Sequence, residues 1–132
     1  MKPQTNVQYF LVNDNQTIAR GYVVVFSGGK LSASGDAPAS GTVAGVALEG
    51  IVTTTATATD IIAVDVNPAS VYRMPYIGSA TPAVGTSYDI GTNAGTVDAD
   101  DSTGGIFTCM GDVDTTNKYA DFLVKNRYNV AG

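Results

Sequence analysis

Apolar residues recur along this chain with a period of two, in short runs that stop at glycine, proline, asparagine or aspartate. A period of two sends alternate side chains to opposite faces, which is strand geometry; a helical stripe needs a period near 3.6. Tyr22 to Phe26 ends at Ser27-Gly28-Gly29-Lys30 and is followed by Leu31-Ser32-Ala33, which predicts a hairpin. Gly35 to Gly41 is loop-like in composition, and Thr42 to Leu48 reads as a strand of small residues. Within it Gly45 predicts a bulge or a close backbone approach. In Ile61 to Val66, residues Ile62, Val64 and Val66 share one face and Ile61, Ala63 and Asp65 the other. Asn67-Pro68 turns the chain.

Val71-Tyr72-Arg73-Met74 reads as a further strand, and Pro75, which lacks an N–H, predicts that its end lies at a sheet edge. Strands near Ser87 to Ile90 and Ile106 to Met110 bracket a polar stretch from Gly91 to Gly105. Tyr119 to Lys125 places Ala120, Phe122 and Val124 on one face and Tyr119, Asp121 and Lys125 on the other. The threonine-rich run Thr53 to Thr59 reads as an extended connection, because β-branched residues disfavour a helix there. No repeat of solenoid or propeller length recurs. Short strands spaced evenly by turns indicate an all-β fold: a small single-domain sandwich or partly open β-barrel. The expected divisions are an N-terminal arm or first strand at 1–19, a β domain at 20–125 and a C-terminal tail at 126–132. At 132 residues the chain is long enough to bury about two-thirds of its unfolded surface without staples.

The tools of catalysis are scarce. There is no histidine and a single cysteine, so zinc sites of Cys and His and a histidine-activated nucleophile are ruled out. Cys109 lies in the strand-like Ile106-Phe107-Thr108-Cys109-Met110 and reads as a core residue. Asp98-Ala99-Asp100-Asp101-Ser102 starts like a calcium loop, but Thr103 stands where the turn glycine belongs and Cys109 where the bidentate glutamate belongs. It reads as a solvated turn. Gly28-Gly29-Lys30 lacks the hydroxyl residue and the upstream glycine of a phosphate loop. Twelve acids allow many carboxylate pairs, yet without tryptophan no aromatic sugar platform supports glycoside chemistry. A biotinyl or lipoyl carrier domain would need a lysine between methionines, and Tyr72-Arg73-Met74-Pro75-Tyr76 contains none. The expectation is a protein that is not an enzyme and uses no cofactor and no metal.

Seven basic against twelve acidic residues, net −5, argues against nucleic acid as a partner. Val7 to Val12 is too short, and interrupted by Gln8, for a signal peptide or a membrane span. Synthesis in the cytoplasm and no membrane partner are expected.

Three segments carry a resemblance: Arg20-Gly21-Tyr22-Val23-Val24-Val25 with its hairpin, then Gly41-Thr42-Val43-Ala44-Gly45-Val46-Ala47-Leu48-Glu49, then Ile61-Ile62-Ala63-Val64-Asp65-Val66 after a polar connection. Together with Gly85-Thr86-Ser87-Tyr88-Asp89-Ile90 and Gly105-Ile106-Phe107, this order resembles the small capsid decoration, or cement, proteins of tailed bacteriophages. The likeness spans roughly 20 to 125 and rests on small-residue strand patterns; it leaves the segment before Arg20 and the tail from Asn126 unexplained. It implies a structural virion protein on the outer surface of an icosahedral capsid, with the major capsid protein as partner and a homo-oligomer, a trimer before other states. Another structural or tail-associated virion protein, or a β-sandwich adhesion module, would share the same strand chemistry.

Two places invite contact with a partner. Tyr9, Phe10 and Leu11 form an apolar strip in a polar surround, either a first strand on its own domain or an arm that pairs with a neighbour. Arg127 and Tyr128 in the tail are residue types favoured at interfaces.

Overall fold

A computed structural model describes residues 7–35, 38–39 and 41–128. Residues 1–6 of the arm, 36, 37 and 40 of the Gly35-to-Gly41 loop, and 129–132 of the tail lie outside the described residues. The chain is all-β. In order the strands are β1 (Val7–Leu11), β2 (Thr17–Ile18), β3 (Val23–Ser27), β4 (Lys30–Ala33), β5 (Val43–Ala47), β6 (Ile51–Val52) and β7 (Ile61–Asp65). The second half holds β8 (Val71–Ile77), β9 (Ser87–Ile90), β10 (Val97–Asp98), β11 (Phe107–Asp114) and β12 (Tyr119–Val124).

The first half makes an antiparallel sheet in the order β1-β7-β5-β3-β4, with the small pair β2-β6 beside it. The expected hairpin joins β3 to β4: Ser27 pairs with Lys30, and Gly28 and Gly29 take φ of 62° and 81°. Two positive φ values in a two-residue loop make the turn whose twist matches its strands, and glycine adopts them without strain. The sheet is open but curled. Val12 bridges Leu31 in parallel, and the Asn13 N–H donates to the Leu31 carbonyl at 2.9 Å, so the end of β1 meets β4 across the fold.

The second half closes as a barrel in the order β10-β8-β12-β11-β9. Phe107, Phe122, Ile106, Val97 and Cys109 fill it and are fully buried. On β12, Ala120, Phe122 and Val124 point inward, as the alternation predicts. Within the polar Gly91-to-Gly105 stretch, β10 supplies the closing strand, pairing parallel to β8 and antiparallel to β9.

Pro75 corrects the sequence reading. It does not end β8 at an edge: the strand runs on to Ile77, paired with β12 on one side and β10 on the other. The Tyr76 N–H donates to the Lys118 carbonyl on the β12 side at 3.0 Å. Backbone groups alternate sides along a strand, so the nitrogen of Pro75 faces away from β12, where β10 pairs only with Tyr76 and Ile77. No ladder bond is forfeited.

The two halves share a core through the curled sheet. Val23, Val43 and Val46 pack onto the barrel cluster, whereas Val24, Ala44, Ala47, Ile62 and Val64 form a second cluster with Val12, Ile18 and Leu31. On β5, same-face residues are three apart because one extra residue is inserted: Val24 pairs with Gly45 and Val25 with Val43. The approach predicted at Gly45 is real, since a Cβ there would overlap the Asp65 carbonyl oxygen.

Candidate binding surface

The apolar strip of β1 is divided by its own alternation. β1 is a strand of its own domain, paired along its whole length with β7, with Tyr9 opposite Ala63 and Leu11 opposite Ile61. Phe10 turns inward and meets Phe26 edge to face, centroids 5.1 Å apart. Tyr9 and Leu11 turn outward, with Tyr9 65% exposed.

That outward face has a definite place in the fold. Val46 pairs with Asp65, so the side of the sheet that meets the barrel at Val46 runs along β7 through Asp65, Ala63 and Ile61, and over β1 through Leu11 and Tyr9. Leu48, whose N–H donates to the Ala63 carbonyl at 3.0 Å, lies on the same side. The barrel covers the sheet at β3 and β5 and stops short of β1. Tyr9, Leu11, Leu48 and Ile61 are left exposed beyond it. Leu48 and Ile61 were not expected at this surface, although the alternation in Ile61 to Val66 already set Ile61 apart from the core row. β1 carries no charged residue and no proline, the usual guards of a sheet edge.

Tyr128 sits elsewhere. Its ring meets Phe26 at 4.9 Å, it is 60% exposed, and with Phe10, Gln8 and Val66 it lines a shallow groove of about 240 Å³ on the other side of β1. The tail that carries it is built into the fold: the Val43 N–H donates to the Asn126 carbonyl at 3.0 Å, and the Tyr128 N–H to the Val43 carbonyl at 2.7 Å. Residues 126–128 thus run parallel to β5 at the end that β7 does not reach.

Arg127 belongs to neither surface, being only 4% exposed. Its guanidinium donates to the carbonyls of Val124, Asp65 and Asn67 and to the Tyr72 hydroxyl, at 3.2 to 3.5 Å. Tyr72 in turn donates to the Asp65 carboxylate at 2.9 Å. One side chain therefore ties the end of β12, the end of β7, the linker and β8. Burial raises the Tyr72 hydroxyl above its ordinary pKa of 10.0; Arg127 opposes the shift and Asp65 reinforces it. Arg127, expected at an interface, is buried within the chain, where it clasps the two halves together.

The aspartates of the Asp98-to-Ser102 turn are occupied by backbone amides. Asp98 accepts from the Asp100 N–H at 2.9 Å and Asp101 from the Thr103 N–H at 3.0 Å. Asp100 accepts from the Ser79 and Ala80 N–H groups at 3.0 and 2.9 Å, which hold its carboxyl below the ordinary range. Asp114 is lowered in the same way by the backbone and side chain of Asn117. Each carboxylate stabilises a turn. Cys109 is buried inside the barrel. No helix among the described residues is long and apolar enough to cross a membrane. No protein-family model matches this chain, and no curated protein matches it.

Proposed function

We propose that this chain is a decoration protein of a tailed-phage capsid, a structural component that binds the outer surface of the shell and stabilises it. The observation that carries the reading is the sheet face that continues past the barrel, where Tyr9, Leu11, Leu48 and Ile61 stand exposed beside an uncharged strand. A face of this kind suits attachment to another protein surface, because burying aromatic and aliphatic groups needs no matching charge. The strand-order resemblance to decoration proteins supports the same assignment.

Decoration demands little of each contact. Binding repeated over a lattice, and over the subunits of a homo-oligomer, sums weak contacts into firm attachment. A net charge of −5 keeps such a coat from adhering to packaged DNA.

The test is a heat-release assay on capsids lacking this chain, with the protein added back. Release of DNA should shift to higher temperature and the protein should sediment with the particles. Tyr9→Ser with Leu11→Ser should abolish both; because Leu11 is only 37% exposed, the isolated protein should lose about 1 to 2 kcal/mol yet still melt cooperatively. Unchanged release together with failure to sediment would refute decoration.

A further inference from the structure

Between the curled sheet and the closed barrel lies a cleft of about 620 Å³, within the usual size of ligand pockets. Arg20, Tyr22 and Leu48 line it from the sheet side, β8 from Val71 to Pro75 lines it from the barrel side, and Asn93 and Thr96 complete the lining.

The backbone of β8 has unused capacity on this side. Tyr76 directs its N–H to Lys118 of the β12 hairpin, so Tyr72 and Met74 direct theirs to β12 as well. Val71 and Arg73 therefore turn their N–H and C=O groups the opposite way. On that side β10 pairs with Tyr76 and Ile77, and among the described residues no strand extends the ladder to Val71.

We infer that the cleft takes an extended peptide segment with an acidic side chain, which adds to β8 as a strand alongside Val71 to Arg73. Backbone pairing would supply the affinity common to all sequences, and the side chains lining the cleft would supply selectivity. Val71 and Leu48 are exposed and apolar, giving the peptide's aliphatic side chains a surface to cover. The charge is one-sided: among the described residues two arginines and no carboxylate line the cleft, in a chain whose net charge is −5. The Arg73 guanidinium is drawn across β12 to Asp112 and Asp121, at 3.1 and 3.2 Å. Arg20 makes no ion pair among the described residues and is the cation left to meet the carboxylate.

The cleft shares Leu48 with the proposed attachment face, but the test uses a free peptide and the isolated protein, so its outcome is independent of capsid binding. The probe is an acetylated and amidated Thr-Val-Asp-Val-Thr peptide, titrated into the isotope-labelled full chain and followed by amide chemical shifts. Saturable shifts are expected at Val71 to Arg73 and at Arg20. A peptide with lysine in place of aspartate should bind about fivefold more weakly, and Arg20→Glu should reverse that preference. Methylating alternate peptide nitrogens separates strand addition from simple adhesion: one alternate set should abolish binding and the other should leave it intact. Absence of saturable shifts at β8, equal sensitivity to both methylation sets, or unchanged preference in Arg20→Glu each overturns the proposal. So does self-association of the peptide-free protein that moves the same resonances, since the occupant would then be a second copy.

Discussion

The two halves solve one problem in opposite ways. The barrel from β8 to β12 closes into a ring through the short β10, which among the described residues leaves β8 unpaired on that side at Val71 to Arg73, and fills its centre with Phe107 and Phe122, whose rings meet at 6.2 Å. The sheet from β1 to β7 stays open, curls one face around its own cluster of aliphatic side chains such as Leu31, Ile62 and Val64, and is covered by the barrel over only part of the other. Closure with large rings makes a self-sufficient core; an open sheet keeps surface for partners. The difference teaches where each kind of mutation should act.

The largest effect is expected in the closed half. Phe122→Ala leaves a cavity in a barrel with no loose strand to collapse into it, and should destabilise by about 3 to 5 kcal/mol in urea unfolding. A smaller loss would mean that the barrel relaxes as freely as the sheet.

Arg127→Ala tests the link between the halves. It deprives three carbonyls and the Tyr72 hydroxyl of their donor and should cost about 3 kcal/mol. Arg127→Lys keeps the charge but loses the planar fork, and should recover less than half of the loss. If the two halves then unfold in separate transitions, the clasp is what makes them cooperative.

Gly45→Ala sharpens the comparison within the open sheet. The added methyl overlaps the Asp65 carbonyl, so β5 and β7 must part, at about 1 to 3 kcal/mol. Amide exchange should quicken at Ile61 to Asp65 and stay unchanged inside the barrel.

The smallest effect is one of pH. Because the Tyr72 pKa is raised in the folded state, folding retains a proton that the unfolded chain gives up above about pH 10. Its contribution to stability is complete below the unfolded value and is lost as pH rises through the folded one. Tyr72→Phe should flatten this alkaline decline, and absorbance titration should lose one late-ionising tyrosine. An equal decline in both proteins would place the alkaline sensitivity elsewhere.

What could be read in the sequence was local. The Gly28-Gly29 hairpin, the alternation in β7 and β12 and the close approach at Gly45 each follow from a few neighbouring residues, and each is present. The short pairs β2-β6 and β10 are two residues long, so no periodicity could announce them; they form because the rest of the fold brings partners to them. Pro75 was misplaced because the rule about missing N–H groups depends on which side the nitrogen faces, and that is set by the pairing. The candidate surface was half legible. Period two divides Tyr9 and Leu11 from Phe10, but only the position of the barrel shows which outward residues remain uncovered. Arg127 was beyond reach, since its partners at Asp65 and Asn67 lie 62 and 60 residues earlier.

That distance has a further meaning during synthesis. The ribosome delivers the open sheet well before Arg127 and before the barrel strands that cover Val23, Val43 and Val46. Until they arrive, the nascent chain carries a half-wrapped sheet with valines facing water and the end of β5 unoccupied. Such a species is prone to associate with its own kind. Production of this protein is therefore governed by the interval between making the sheet and making its clasp, and slowing translation between residues 66 and 127 should lower soluble yield more than slowing it before residue 66.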